Sequence, residues 1–192
     1  MLYEIRWHGR GGQGAVTAAV ILAKAAIYEG KHAQAYPEFG AERRGAPVRA
    51  YTRISDKPIR TRSPILKPDI VVVLDRSLPP SLFLSGLKPQ GTLIMNTPLS
   101  PGEAASKLGI EGLYRVYTVD ATRIALEKLG APIVNTAMVG ALAAVTGLVG
   151  LESIEWAIVD TLPGKVAEKN IQAVREAFER VSSLVEGKEV TL

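Results

Sequence analysis

From Leu2 to Trp7 apolar and polar residues alternate, the period of a strand with one buried face, and the chain then enters Gly9-Arg10-Gly11-Gly12-Gln13-Gly14. Val16, Val20, Leu22, Ala23, Ala26 and Ile27 follow as a wide apolar stripe at helical spacing that runs to Glu29, with Gly30 as a natural stop. The opening is therefore strand, glycine loop, helix. His32 to Tyr36 predicts a short second strand, and Pro37 to Pro47 a loop rich in Gly, Pro, Glu and Arg. Val48 to Ile54 and Ile59 to Arg62 alternate on either side of Ser55-Asp56-Lys57-Pro58, which is turn chemistry, and together predict a hairpin. In it Arg49, Tyr51 and Arg53 share one face of the first strand, and Arg60 and Arg62 one face of the second.

Three further strands are expected at Asp69 to Leu74, Gly91 to Asn96 and Tyr114 to Val119; the first is a continuous apolar run of the kind a sheet covered on both faces uses. Helices fill the gaps at Ser77 to Leu84, Pro101 to Leu108, Thr122 to Leu129, Thr136 to Leu148, Ser153 to Thr161 and Lys165 to Leu184. Strands alternating with helices early and helices accumulating late predict an α/β fold: a layered domain with a mixed β-sheet and a helix-rich C-terminal third. A length of 192 residues with 47% hydrophobic content suits one such domain spanning residues 1–192. The stretch Gly130 to Leu151 carries no charged side chain, but its glycines, alanines and Pro132 make it too weakly apolar to span a membrane, which takes about 20 predominantly apolar residues. It reads as a buried or interface helix packed through small residues. Met1 to His8 lacks the pattern of a signal peptide, so a cytoplasmic protein is expected.

Composition narrows the chemistry. There is no cysteine, which removes a thiolate nucleophile, a disulfide framework and a cysteine-ligated iron–sulfur cluster. His8 and His32 are the only histidines, so a dedicated zinc or haem site is not expected either. If the protein takes part in redox chemistry, the redox centre belongs to another chain or to a bound organic cofactor. Few Asn and Gln, no Cys and many Pro and charged residues also suit a thermophile.

Charge is uneven. Between Arg43 and Lys67 there are eight basic residues and one acidic residue, Asp56, so this window alone is +7 against a net charge of +4 for the chain. Such an excess points to an anionic partner, either a phosphate-bearing cofactor or an acidic protein, with a solvated sheet face as the alternative. Nucleic acid is disfavoured, because Tyr36, Phe39 and Tyr51 are too few for a base-stacking platform.

The glycine segment satisfies G-x-G-x-x-G between a strand and a helix, where the free N–H groups of the helix start can meet an anion. A ligand-free turn or a subunit contact explains it equally well. Dinucleotide binding also requires an apolar first strand and an acidic residue ending the second. Here the first strand holds Glu4 and Arg6, and Glu38, the nearest acid, lies in the following loop. A stand-alone NAD- or FAD-binding oxidoreductase is thus the second reading. Asn135-Thr136 reads as an ordinary helix N-cap, and His8 as a packed or capping histidine. No nucleophile triad, carboxylate pair or metal cluster emerges, so no catalytic residue is assigned.

Three stretches, taken together, are more specific: His8-Gly9-Arg10-Gly11-Gly12-Gln13-Gly14-Ala15-Val16-Thr17, Gln34-Ala35-Tyr36-Pro37-Glu38-Phe39-Gly40-Ala41-Glu42-Arg43-Arg44-Gly45-Ala46-Pro47-Val48, and Val134-Asn135-Thr136-Ala137-Met138-Val139-Gly140-Ala141. In order and spacing, over nearly the full length, the chain resembles the gamma subunit or gamma domain of pyruvate and related 2-oxoacid:ferredoxin oxidoreductases. The resemblance implies a non-catalytic subunit of an assembly that oxidatively decarboxylates a 2-oxoacid, most simply pyruvate, to an acyl-CoA and reduces ferredoxin. Thiamine diphosphate, Mg and iron–sulfur clusters would lie in the partner alpha, beta and delta subunits, and no membrane or nucleic acid is implied. The gamma chain would pack against them and help form the coenzyme A site, with Gly9, Gly11, Gly12, Gln13, Gly14, Glu42, Arg43, Arg44, Arg49, Asn135 and Thr136 facing the cofactor and Arg53 in support. Isolated, the chain is expected to be inactive and able to self-associate through its apolar interface.

Overall fold

The computed structural model describes residues 1–38 and 45–189, and the side chains among them as far as Glu186. The sheet grows outward from β1 (Leu2–Arg10), which pairs antiparallel with β3 (Pro47–Ser55) on one side and parallel with β4 (Ile70–Val73) on the other. With β2 (His32–Pro37), β5 (Thr92–Asn96) and β6 (Arg115–Val119), the order among the described residues is β2-β3-β1-β4-β5-β6. Strands β1, β4, β5 and β6 run parallel, and β3 is antiparallel to both of its neighbours, so the sheet is mixed as expected.

Helices cover both faces. On one side lie α1 (Ala15–Tyr28), α4 (Ala121–Leu129), α5 (Asn135–Thr146), α6 (Leu151–Thr161) and α7 (Gly164–Glu189), whose apolar side chains join Ile5, Trp7, Val72 and Ile94 in one core. On the other, α2 (Pro80–Leu84) and α3 (Pro101–Leu108) pack on Val71, Val73, Leu93 and Met95. Alternate residues of β4 and β5 thus enter different cores, which is why their sequences are continuously apolar. The polar positions of β1 have another explanation. Arg6 and His8 face away from α1 and are buried by the segment that ends α2, whose Phe83 and Ser85 carbonyls accept from the Arg6 guanidinium.

The expected hairpin between residues 48–54 and 59–62 does not form. Both backbone edges of β3 are taken, by β1 and by β2, so no ladder position remains for the later segment. Residues 56–68 instead cross the sheet as a strap tied by side chains: Gln34 Nε2 donates to the Ile59 carbonyl, Tyr36 Oη to that of Ser63, and Arg53 to those of Thr61 and Ser63. Accepting carbonyls at 59, 61 and 63 mean an extended backbone, and its period of two is the alternation that suggested a strand. The β2–β3 pair is the real hairpin, and its connection includes residues 39–44.

Helix α5 corrects another expectation. Its N-cap position is Val134, with no side-chain cap, so Asn135 and Thr136 are the first helical residues, and Asn135 Oδ1 accepts from the Thr136 N–H at 2.9 Å within the first turn. The uncharged stretch is a buried helix, as its small residues implied, and none of the described helices is long and apolar enough to cross a membrane. Gly140 sets the crossing of α5 with α7: a Cβ there would lie 2.4 Å from the Val174 carbonyl oxygen. Because that neighbour is backbone and cannot rotate away, Gly140→Ala should cost about 1–3 kcal/mol as overpacking, read as a lowered denaturation midpoint with unchanged m-value.

Candidate functional site

The chain leaves β1 at its carboxyl end and must turn at once into α1. Gly14 makes this possible in a left-handed conformation, φ 79°, as the N-cap of α1. A side chain is excluded there twice over, since a Cβ at Gly14 would also stand 2.5 Å from Asn135 Nδ2. The first turns of α1 and α5 are thus in contact, and the loop and Asn135, remote in sequence, border one place.

The inside of the turn is occupied by Gln13, whose Oε1 accepts from the Arg10 N–H at 2.6 Å and whose Nε2 donates to Asp75 Oδ2 at 2.8 Å. Arg10 bridges outward, to Asp75 at 3.2 Å, to Ser77 Oγ at 2.9 Å and to the Gly45 carbonyl at 3.1 Å. Backbone bonds from Gly11 to Ala46 and from Gly45 to Gly11 fasten the same turn to the start of β3. Burial pushes the Asp75 carboxyl up, but bonds from Ser77 and Gln13 and the Arg10 charge outweigh it and hold Asp75 below the usual carboxylate range. It is an anionic hub that ties the glycine loop to the end of β4.

Beside the hub opens a crevice of about 670 Å³ across the carboxyl ends of the parallel strands, lined by Gly11, Gly12, Gln13, Asp75, Arg76, Asn96, Thr97, Asp120, Thr122 and Pro132 to Val134. This is where open α/β sheets bind ligands. Asn96 shapes its floor, donating to the Leu74 carbonyl and Thr122 Oγ1 while accepting from the Thr122 N–H. The Asp120 side chain caps α4, whereas α1 has no side-chain cap; on the glycine-loop wall the Gly11 and Gln13 N–H groups are already donated to Ala46 and Arg10, and the α4 wall carries a carboxylate. A smaller cavity of about 390 Å³, with Tyr3, Lys88 and Arg115, lies at the amino ends of the strands.

Of the residues expected to face a cofactor, Gly11, Gly12 and Gln13 line the crevice, Gly14 and Asn135 stand behind its rim, and Gly9 is buried beneath Gln13. Thr136 is fully buried and donates to Asn170 Oδ1, so it faces α7. Glu42, Arg43 and Arg44 lie outside the described residues. Arg49 does not line the crevice; it pairs with Glu38 at 2.5 Å, and Glu38 also accepts from Tyr51, whose hydroxyl is pushed up to about 12 by burial and that neighbouring carboxylate. Arg53 is no anion ligand at all. Only 1% exposed, it pairs with Glu4 at 2.9 Å and is bonded to Tyr36 and the strap. Asp75, Asn96, Thr97 and Thr122 were missed, although each follows an apolar strand or opens the helix after one, the signal that could have found them. Among the described residues no group of three metal-ligating side chains comes together.

Residues 4–180 match the profile of the family described as pyruvate ferredoxin/flavodoxin oxidoreductase. The chain belongs to that family. It is 57% identical over 180 residues to the pyruvate/ketoisovalerate oxidoreductases common subunit gamma of Pyrococcus abyssi, covering 93% of this chain and 97% of the relative. It is 55% identical over 178 residues to pyruvate synthase subunit PorC of Methanocaldococcus jannaschii, covering 92% and 96%. The crystal structure of pyruvate oxidoreductase subunit PORC from Thermotoga maritima superposes with a TM-score of 0.81 at 42% identity, over 93% of this chain and 96% of that one. The same fold occurs within a longer chain, 2-oxoglutarate:ferredoxin oxidoreductase from Magnetococcus marinus, with a TM-score of 0.78 at 17% identity, covering 95% of this chain and 31% of that one. The resemblance seen in the three sequence stretches is therefore upheld: this is a gamma-type subunit of a multi-subunit 2-oxoacid:ferredoxin oxidoreductase.

His8 is packed within the fold. Only 2% exposed, it accepts at Nε2 from Arg6 Nε at 2.8 Å, and burial, with the charges of Arg6 and Arg49 adding to it, pushes it down to about 3. The unfolded chain protonates His8 near the ordinary value of 6.5 while the folded one does not until about pH 3, so the unfolded state binds more protons between those limits and stability falls as pH drops through them. In His8→Gln, which keeps an acceptor for Arg6, urea denaturation between pH 4 and 6.5 should show a pH slope smaller by up to about 1.4 kcal/mol per unit.

Proposed function

We propose that this subunit supplies one wall of the coenzyme A site in a complex that oxidatively decarboxylates a 2-oxoacid, pyruvate foremost, and passes the electrons to ferredoxin. The observation that carries the reading is the crevice at the carboxyl ends of the parallel strands, bordered by the uncapped start of α1 and by Asn135. A helix start without a side-chain cap suits the pyrophosphate of CoA. The +7 window supports it less than its size suggests, because Arg49 and Arg53 are neutralised within the fold, which leaves Arg43 and Arg44 as the cations of the connecting loop for the ligand.

In this reading the chain binds and orients, and the chemistry occurs in its neighbours. A chain without cysteine holds no iron–sulfur cluster of the cysteine-ligated type, so clusters, thiamine diphosphate and Mg are assigned to alpha, beta and delta partners, and the gamma chain alone has no turnover. The division also places the choice of 2-oxoacid in the thiamine-binding subunits. A stand-alone nicotinamide or flavin oxidoreductase gains no support: the polar first strand and the position of Glu38 both differ from a dinucleotide site.

In the reconstituted complex, Arg43→Ala and Arg44→Ala should each raise the Michaelis constant for CoA about tenfold, roughly one charge-assisted hydrogen bond, with that for the 2-oxoacid unchanged. An unaltered CoA constant in a normally assembled complex removes the role.

A further inference from the structure

The strap of residues 56–68 is more rigid than a surface connection needs to be. Its middle is held by Arg53, itself anchored on Glu4 and Tyr36, and by Gln34. Ile65 is buried at 2% exposure. The carbonyl of Leu66 sits so close to Gly86 that a Cβ there would fall 2.1 Å from it, and the Pro68 carbonyl accepts from the Lys88 N–H. At the near end Asp56 pairs with the chain's amino group. Pro58, Pro64 and Pro68 reduce the freedom of the segment further.

What this backbone carries outward has no partner among the described residues. Among the described residues, each arginine makes a hydrogen bond or ion pair within the chain except Arg60, Arg62 and Arg76, and two of those three lie on the strap. They stand two apart on an extended backbone, so they share a side, and both are exposed. Leu66 is 76% exposed, level with Met1 as the most exposed large hydrophobic residue described. An immobilised backbone presenting two free guanidiniums and one bare leucine is costly as plain surface. Arginine is enriched at protein interfaces while lysine and glutamate are depleted there. Neither arginine lines either crevice described above.

We infer that the strap is a preformed docking surface for an acidic face of another subunit of the same oxidoreductase, with Arg60 and Arg62 pairing carboxylates and Leu66 entering an apolar pocket between them. Preorganisation explains why the buried Arg53 cluster exists: it removes the cost of ordering the strap on association. The inference is independent of the CoA reading, since it uses other residues.

The test uses the complex co-expressed with its cognate subunits, with the charge reversal R60E/R62E and, separately, Leu66→Ser. The reversal should weaken retention of this chain at least tenfold at low salt, and Leu66→Ser should weaken it to a degree that salt does not alter. The Michaelis constant for CoA should stay the same in whatever complex forms. Should R60E/R62E lower the melting temperature of the chain itself, R60Q/R62Q takes its place in the same assay. Unchanged retention from low to moderate salt overturns the inference. So does normal assembly with a raised Michaelis constant for the electron-acceptor protein, which would give the surface to the acceptor, and so does a change confined to self-association of the isolated chain, which would give it to a second copy.

Discussion

The contact on which the site depends is the approach of the first turn of α1 to the first turn of α5, closed to within reach of Asn135 by the missing side chain of Gly14. It joins a segment near the start of the chain to one far along it, and it aligns two helix starts behind a single crevice. Asp75 completes the arrangement by holding Arg10 and Gln13, so that the turn is fastened to β4 as well as to α5. Backbone geometry, charge and packing converge there.

Charge counted along a sequence differs from charge available to a partner. Of the arginines between 43 and 67, Arg53 is buried against Glu4 and spends its remaining donors on Tyr36 and two carbonyls, and Arg49 is paired with Glu38. Arg60 and Arg62, which seemed to belong to one face of a hairpin strand, are carried on the strap that Arg53 secures. The same cluster of cations thus divides into structural and free members, and only the partners brought from β1 and β2 decide which is which.

Much of the fold was determined by local pattern. The continuous apolar run of β4 announced a strand covered on both faces, the glycine loop between a strand and a helix announced the turn at Gly14, and the small-residue stretch announced a buried helix at α5. Period and φ preference are properties of neighbouring residues, so the chain displays them unaided. The three family stretches were legible for the same reason: they are contiguous. What only the tertiary structure decided was pairing. That β3 lies between β1 and β2, leaving residues 59–62 no edge, depends on which strands meet across long loops. That Asn135 supports a glycine turn, that Asp75 is its hub and that Arg53 is buried depend likewise on side chains from distant elements. Hydrogen bonds and ion pairs are satisfied in space, not along the chain, and nothing in the order of residues records where each finds its partner.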